Sequence, residues 1–127
     1  MIILTGSKGF IGQNFLKALK DEKVIEVEKD NCQDFCKIFT EWSKVKLIIH
    51  QGAISSTTCT DIELLINTNV AFTEWLCEKA IKYQIPIKYA SSASVYGNTS
   101  DTINPLNYYA ITKVITDYWV QDNMDKF

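Results

Sequence analysis

A tyrosine and a lysine near the end of the sequence have the spacing of an acid/base pair. Tyr109 and Lys113 lie four residues apart in NPLNYYAITKV, within a helix predicted from about Leu106 to Met124. Residues four apart share one helix face, so the lysine ammonium can lie beside the phenol and stabilise a phenolate. A phenolate can take the proton of a substrate hydroxyl group. Tyr108 is five residues before the lysine, so its side chain points elsewhere. We interpret it as a packing or pocket-lining residue.

A glycine-rich turn follows the first apolar run. TGSKGFIG places Gly6, Gly9 and Gly12 between the strand-like MIILT and a helical pattern that ends near Glu22. Gly6 permits the tight turn, Gly9 lets a pyrophosphate approach the backbone, and Gly12 lets the helix pack closely. The unpaired N–H groups at the start of the helix, at Phe10 and Ile11, would bind the phosphates. The pattern predicts dinucleotide binding; the alternative is a turn kept for packing alone.

An acidic residue is expected where the second strand ends, because it would accept hydrogen bonds from the adenosine ribose hydroxyls. Glu28 lies at that place in VIEVEKDN, and Asp30 is the rival. A carboxylate disfavours a 2′-phosphate and so favours NAD. Lys29 could receive that phosphate, however, so both NAD and NADP stay open.

Small residues follow the third predicted strand. In KVKLIIHQGA, Gly52 and Ala53 would lie along the cofactor, where larger side chains would clash with it. His50 precedes them at the end of the strand. We interpret it as a buried residue rather than as a catalyst.

Strand and helix patterns alternate along the chain. The strand-like stretches are MIILT, KVIEVE, KVKLIIHQ and IPIKYASS, and the helical ones are FIGQNFLKALKDE, DFCKIFTEW, DIELLINTNVAFTEWLCEKAIKY and the last helix. Apolar strands that alternate with helices predict a parallel sheet. The expected fold is α/β, a Rossmann-like doubly wound parallel sheet of four or five strands, in one domain over residues 1–127.

Composition narrows the class of protein. The chain has 127 residues, 46% of them hydrophobic, and a formal charge of −2, which disfavours a broad surface for nucleic acid or anionic lipid. No apolar stretch approaches the roughly 20 residues needed to cross a bilayer. The four cysteines form no CxxC pair, so we expect no metal site. We expect the thiols to be reduced. These features predict a cytoplasmic protein.

The motifs together resemble a known enzyme family. The glycine turn, HQGAISSTT, YASSASVYG and YYAITK occur in this order. They are similar to the cofactor-binding part of the NAD-dependent epimerase/dehydratase family, the extended short-chain dehydrogenase/reductases. Within that family, HQGAISSTT followed by YASSASVYG is most similar to the ADP-glyceromanno-heptose 6-epimerases. The resemblance covers essentially the whole chain.

The resemblance implies roles for individual residues. Ser92, Tyr109 and Lys113 would be catalytic: Ser92 would bind the substrate oxygen, Tyr109 would take the proton, and Lys113 would also hold the nicotinamide ribose. Hydride would pass from the same substrate carbon to the nicotinamide. Asn69, in the long central helix, would belong to the cofactor-binding part by supporting the strand that bears the active site; an ordinary polar helix position is the alternative.

The resemblance also sets an expectation for activity. Family members are roughly twice as long as this chain, and the later segments build their nucleotide-sugar lobe and supply a second acid/base. The implied activity is a nucleotide-sugar epimerase acting with NAD or NADP. The alternatives are a nucleotide-sugar dehydratase and a truncated NAD(P)-binding module without independent catalysis. Because a shortened sheet would expose an edge and an apolar face, we expect a homo-oligomer or a complementing chain.

Overall fold

Four parallel strands form one sheet in the computed structural model, which describes residues 1–127. The strands are β1 (Ile2–Thr5), β2 (Val24–Val27), β3 (Leu47–His50) and β4 (Ile87–Tyr89), and their order across the sheet is β2-β1-β3-β4. This confirms the predicted α/β, Rossmann-like class, with four strands rather than five.

Five α-helices and several tighter turns connect the strands. The helices are α1 (Phe10–Ala18), α2 (Cys32–Ile38), α3 (Ile62–Leu65), α4 (Phe72–Tyr83) and α5 (Tyr108–Asp122). A π-helical segment, Ile66–Ala71, joins α3 to α4, so the long helix predicted there is one continuous run with a wider turn inside it. Short 3₁₀ turns occupy Trp42–Lys44, Ala93–Tyr96 and Met124–Lys126. No helix has the length and apolar character that crossing a bilayer requires.

The central strands are held by apolar burial. All four residues of β1 are buried, as expected for a parallel strand with neighbours on both sides. Ile2 and Leu4 of β1 form a cluster with Ile49 of β3, and apolar side chains of α1 pack against it at Phe15, Leu16 and Leu19. Full burial of a side chain such as Ile2 or Leu4 contributes about 1.5–3 kcal/mol to folding, and the partly buried side chains of α1 contribute less. This packing fixes α1 beside the strand from which it departs.

The second helix differs from its predicted bounds. The stretch DFCKIFTEW, residues 34–42, was expected to be helical, but α2 covers Cys32–Ile38 and the backbone is extended at Phe39. The Phe39 ring stacks on Phe35 at 5.0 Å between centroids and meets the edge of Trp42 at 4.9 Å. Packing of these rings therefore replaces the last predicted turn of helix.

One side chain, that of Asn31, makes hydrogen bonds to the backbone at the outer edge of β2. The Asn31 amide donates to the carbonyl of Glu26 at 3.1 Å, and its oxygen accepts from the backbone N–H of Glu28 at 2.7 Å. These are the two kinds of bond that a further strand would make with β2. The side chain thus satisfies part of the edge and fixes the backbone at Glu28.

The chain divides into two compact units. One contains residues 1–52 and 79–90, with the whole sheet, and the other contains residues 53–78 and 91–127, with α5. That the chain behaves as one domain over residues 1–127 stays a prediction.

All four cysteines are free thiols. Burial raises the pKa of Cys77 to about 12 and that of Cys32 to about 11. A thiol with a raised pKa is a weak nucleophile near neutral pH, so these two groups are poor candidates for covalent catalysis.

Candidate active site

The strand order creates a crevice at the carboxyl ends of β1 and β3. These strands are neighbours, yet the chain leaves them in opposite directions across the sheet, toward β2 and toward β4. Such a reversal is where open α/β sheets bind their ligands. Gly6 follows β1 and Gly52 follows β3 at this point, as the sequence predicted, and a Cβ atom on Gly6 would lie 2.8 Å from Gly52 Cα. The backbones meet there without intervening side chains.

The three glycines of the turn differ in whether the fold itself requires glycine at that position. Gly6 has a φ of 71°, which disfavours any side chain, and a Cβ on Gly12 would lie 2.0 Å from the Gly6 carbonyl oxygen. A Cβ on Gly9 would meet only that oxygen, at 3.4 Å, an ordinary contact. The chain's own packing therefore requires glycine at positions 6 and 12 but not at position 9.

The start of α1 presents unpaired backbone donors. Gly9 is the N-cap, Phe10 and Ile11 are the first two helical residues, and the first bond within the helix is donated by the N–H of Gln13 to the Gly9 carbonyl at 2.9 Å. The Phe10 side chain is 87% exposed. The N–H groups of Phe10 and Ile11 have no acceptor inside the helix and can bind an anion.

Glu28 contacts the glycine turn directly. Its carboxylate accepts from the Ser7 hydroxyl at 2.7 Å and from the backbone N–H of Lys8 at 3.0 Å. Asp30, the rival position, is exposed and pairs with the Lys8 ammonium at 3.2 Å. Of the two acidic residues, Glu28 is the one that bonds the backbone of the turn, whereas Asp30 contacts only the Lys8 side chain.

His50 is buried at the end of β3, with 2% exposure. Its Nδ1 lies 2.6 Å from Thr5 Oγ1, which also accepts from the backbone N–H of Gly52 at 2.9 Å. The imidazole thus helps to hold the ends of β1 and β3 together. Ala53 follows as a half-buried residue of the loop after β3.

Helix α5 carries the tyrosine and lysine pair. The Asn107 side chain caps the helix by accepting from the backbone N–H of Ala110 at 2.8 Å, so Tyr109 lies in the first turn. Tyr109 is half-buried, whereas Lys113 is only 5% exposed. Burial lowers the pKa of Lys113, and the nearby Asp117 carboxylate opposes that shift. Tyr109 and Lys113 thus lie one turn apart on a helix, as their spacing predicted, and their catalytic role stays a prediction.

Asp117 is itself held from outside the helix. Its carboxylate accepts from the Ser91 hydroxyl at 2.6 Å. Since Asp117 follows Lys113 by one turn, this bond fixes the negative charge on the lysine's side of α5.

Asn69 lies in the π-helical segment and is 1% exposed. Its amide accepts from the backbone N–H of Ile54 at 2.9 Å and donates to the Ile54 carbonyl at 3.0 Å and to Thr112 Oγ1 at 3.1 Å. Thr112 in turn donates to the carbonyl of Tyr109 at 2.6 Å. Both amide hydrogens are therefore used inside the chain, in support of α5 and of the loop after β3. The predicted role of Asn69 in cofactor binding stays a prediction.

Ser92 begins the 3₁₀ turn Ala93–Tyr96. Its oxygen accepts from the backbone N–H of Ser94 at 3.2 Å and from the Ser94 hydroxyl at 2.8 Å. A hydroxyl group has two lone pairs and one hydrogen. Because both lone pairs are engaged, the Ser92 hydroxyl acts outward as a donor.

Sequence reasoning missed several residues around these groups. They are Ser7, Glu26, Ser91, Thr112 and Asp117. Two of them had a readable signal. Glu26 lies on β2 two residues before Glu28, which directly follows the strand, and Asp117 is one helical turn after Lys113.

Comparisons with other proteins identify the family and the fold. The model of the NAD dependent epimerase/dehydratase family matches residues 2–127. The ADP-L-glycero-D-manno-heptose-6-epimerase of Helicobacter pylori is 26% identical, with a TM-score of 0.81 over 96% of this chain and 50% of that one. The UDP-N-acetylglucosamine 4-epimerase of Methanobrevibacter ruminantium is 17% identical, with a TM-score of 0.81 over 98% of this chain and 50% of that one. The UDP-glucuronic acid 4-epimerase of Bacillus cereus, solved with NAD, is 22% identical, with a TM-score of 0.75 over 99% and 53%.

The matches cover different shares of this chain and of the solved structures. The chain is covered almost completely, yet it spans about half the length of the solved structures that it matches. The family model covers nearly every residue, including both the glycine turn and α5. This chain belongs to the NAD-dependent epimerase/dehydratase family.

Proposed function

We propose that this chain binds NAD(P) and supplies the acid/base half of a nucleotide-sugar epimerase. One observation carries the proposal: Lys113 is buried one helical turn after Tyr109, on a helix whose first turn is anchored through Thr112 and Asn69. An ammonium is costly to bury unless it interacts with another group. The Asp117 carboxylate offsets part of that cost, and the same position lets the ammonium stabilise a phenolate at Tyr109 one turn away.

The residues of the glycine turn fit a dinucleotide. Gly6 and Gly52 leave bare backbone at the crevice, Gly9 has no side chain although the fold tolerates one, and α1 offers free N–H groups to a pyrophosphate. When bound there, the oxidised nicotinamide would accept a hydride. Family membership and a neighbour solved with NAD support NAD as the cofactor.

The chain's own residues would then move a proton. Oxidation of a sugar carbinol removes a hydride from carbon and a proton from oxygen, and Tyr109 would take the proton while Lys113 stabilises the phenolate. Ser92 would donate its free hydroxyl hydrogen to the same substrate oxygen, since its lone pairs are engaged by Ser94. Return of both hydrogens, with the hydride delivered to the opposite face of the carbon, inverts the centre.

A second candidate is a dinucleotide-binding module that does not turn over substrate alone. The observation in its favour is that the matched epimerases are about twice as long as this chain. A substrate needs to be held in an oriented complex for hydride transfer to be fast. On this account, turnover would require further binding surface for the nucleotide sugar. A nucleotide-sugar dehydratase would use the same pair of residues and differ in the fate of the oxidised sugar.

The test is turnover with matched tyrosine variants. Purified chain would be incubated with NAD and ADP-heptose, UDP-glucuronic acid or UDP-N-acetylglucosamine, and the products identified by NMR. We expect epimerised sugar from the wild type and from Tyr108→Phe, and a loss of about 100-fold or more in Tyr109→Phe. If NAD binds but no sugar reacts, the module is the correct function. If Tyr109→Phe is as active as Tyr108→Phe, the proposed acid/base is wrong.

A further inference from the structure

The sheet ends at β2, and one side of that strand has no neighbouring strand. The carbonyls of Lys23 and Val27 accept hydrogen bonds from the β1 side, at 2.9 Å and 3.1 Å, so the alternate residues Val24 and Glu26 turn their backbone groups outward. The Asn31 amide occupies the outward carbonyl of Glu26. The Glu26 N–H and both backbone groups of Val24 are left to pair with an incoming strand.

A groove of about 530 Å³ lies along this edge, between β2 and the stretch from α2 to Glu41. Ile25 of β2 lines it together with Phe35, Ile38 and Phe39. The Ile38 side chain is 74% exposed although it is large and apolar. A groove beside an unpaired strand can accept an extended peptide, because the peptide backbone pairs with the strand while alternate side chains enter the groove.

The charged residues that line the groove are all acidic. They are Glu26, Asp34 and Glu41, and no lysine or arginine is among the lining residues. Glu26 accepts from the Ser7 hydroxyl at 2.5 Å, Glu41 pairs with Lys44, and Asp34 is exposed. Basic side chains on an occupant would therefore be attracted to this groove, and acidic ones would be repelled.

The geometry of β2 also specifies the sequence pattern of the occupant. Successive side chains of a strand point to opposite faces, and side chains directly opposite each other on paired strands share a face. Ile25 faces the apolar wall with Phe35, whereas the Glu26 carboxylate reaches Ser7 on the other face. An added strand would thus place every second side chain against the apolar wall and the others beside Glu26. Apolar residues that alternate with basic residues fit both faces.

A second copy of this chain fits the edge poorly. Pairing of β2 with itself would bring two Glu26 carboxylates onto one face of the joined sheet, and like charges directly opposite each other destabilise a strand pair. The acidic side chains of Asp34 and Glu41 would be doubled at the same place. The charges therefore favour a different partner over self-association.

We propose that the outer edge of β2 binds an extended segment of another protein by strand addition, and that this segment alternates apolar residues with lysine or arginine. The surface lies within the unit that contains the whole sheet, and the proposal does not depend on the function proposed above. Asn31 ends the paired stretch, because its side chain already bonds the Glu26 carbonyl and the Glu28 N–H. The segment is therefore held by a few backbone bonds together with contacts in the groove.

Fluorescence anisotropy of the full chain with a labelled peptide of alternating lysine and valine, about seven residues long, supplies the test. We expect saturable binding that weakens as the salt concentration rises, and no binding of the peptide with glutamate in place of lysine. Ile38→Ser should weaken binding by about five-fold or more, since it removes an apolar contact in the groove. Ile62→Ser is the matched control, because Ile62 is 53% exposed and lies on α3 outside the groove. Melting curves would show that both variants fold.

Methylated peptides test the backbone pairing separately. Only every second N–H group of an added strand faces β2. One peptide would carry N-methyl groups on its lysines and another on its valines. We expect one of the two to bind about ten-fold more weakly than the parent, through lost backbone bonds, and the other to bind nearly as the parent does. Equal affinities of the two methylated peptides would overturn strand addition.

The remaining results also decide the proposal. It is overturned by an absence of saturable binding up to about 1 mM peptide, or by equal affinities for the lysine and glutamate peptides. Equal losses in Ile38→Ser and Ile62→Ser would show that the peptide does not occupy the groove. Analytical ultracentrifugation tests the other occupant. If the free chain dimerises and Ile38→Ser alone abolishes the dimer, a second copy covers this edge and the proposal is wrong.

Discussion

The Asn69 amide donates a hydrogen bond to Thr112 Oγ1 at 3.1 Å, across 43 positions of sequence. Since Thr112 also bonds the Tyr109 carbonyl, this contact connects the π-helical segment to the turn of α5 that bears the tyrosine. A single buried side chain therefore supports both the loop after β3 and the proposed acid/base.

Replacement of Asn69 should destabilise the fold. Asn69→Ala removes three hydrogen bonds and leaves the partly buried backbone N–H and C=O of Ile54 without their side-chain partner. We expect a loss of about 2–4 kcal/mol in the free energy of unfolding, measured by urea denaturation. Asn67→Ala, at an exposed position of the same segment, should change that free energy by about 0.5 kcal/mol or less. Equal losses in the two variants would show that the Asn69 network does not stabilise the chain.

The glycine turn allows packing and binding to be separated. Gly12→Ala should destabilise the protein, because the added Cβ would lie 2.0 Å from the Gly6 carbonyl oxygen. Gly9→Ala should leave the melting temperature nearly unchanged, because its Cβ meets that oxygen at 3.4 Å, and should weaken NAD at least several-fold by crowding the pyrophosphate. Melting curves and NAD titrations of both variants supply the measurement. If Gly9→Ala binds NAD as tightly as the wild type does, the pyrophosphate does not bind beside Gly9.

The turn also shows what the sequence could predict. The order of strand, glycines and helix, the acidic Glu28 and the spacing of Tyr109 and Lys113 are local patterns, and each lies in the expected element. Local spacing specifies which face a residue occupies, so it was sufficient for these features.

Other features depend on partners distant in sequence. The convergence of Glu26 and Glu28 on Ser7 joins residues about 20 positions apart, and the early end of α2 follows from ring packing among Phe35, Phe39 and Trp42. The hydrophobic periodicity of the sequence does not predict such contacts, because they depend on which side chains pack together in the folded chain. The π turn at Asn69 belongs to the same class.

Asp117 should control the protonation of Lys113. Burial lowers the pKa of Lys113 from 10.5, so the folded chain holds this proton less tightly than the unfolded chain does, and the charged lysine reduces stability at neutral pH. That penalty disappears as the pH rises from the folded pKa past about 10.5. Asp117→Asn removes the opposing charge and should lower the pKa further.

We therefore expect Asp117→Asn to reduce the free energy of unfolding by about 1–2 kcal/mol at pH 7, and by less at higher pH, where Lys113 is neutral. Urea denaturation across this pH range measures the difference. In a Lys113→Met background the pH dependence of the Asp117→Asn effect should vanish. A difference that is constant with pH would mean that Asp117 acts only through its bond with Ser91.

The Ser92 hydroxyl should matter for chemistry rather than for folding. Ser92→Ala removes the proposed substrate donor together with two weak acceptor contacts from Ser94. We expect a stability loss of about 1 kcal/mol or less and, in a system that turns over, a fall in kcat of at least 10-fold with little change in KM. Ser94→Ala, which keeps the Ser92 hydroxyl, is the control. A rise in KM with unchanged kcat would show instead that Ser92 binds the substrate equally in the ground state and the transition state.

The central claim is that this chain carries a dinucleotide site at the ends of β1 and β3, and calorimetric titration of the folded chain with NAD tests it most directly. The account predicts saturable binding of one NAD per chain, with a matching rise in melting temperature. The absence of saturable binding of NAD and NADP up to about 1 mM by folded protein would contradict it.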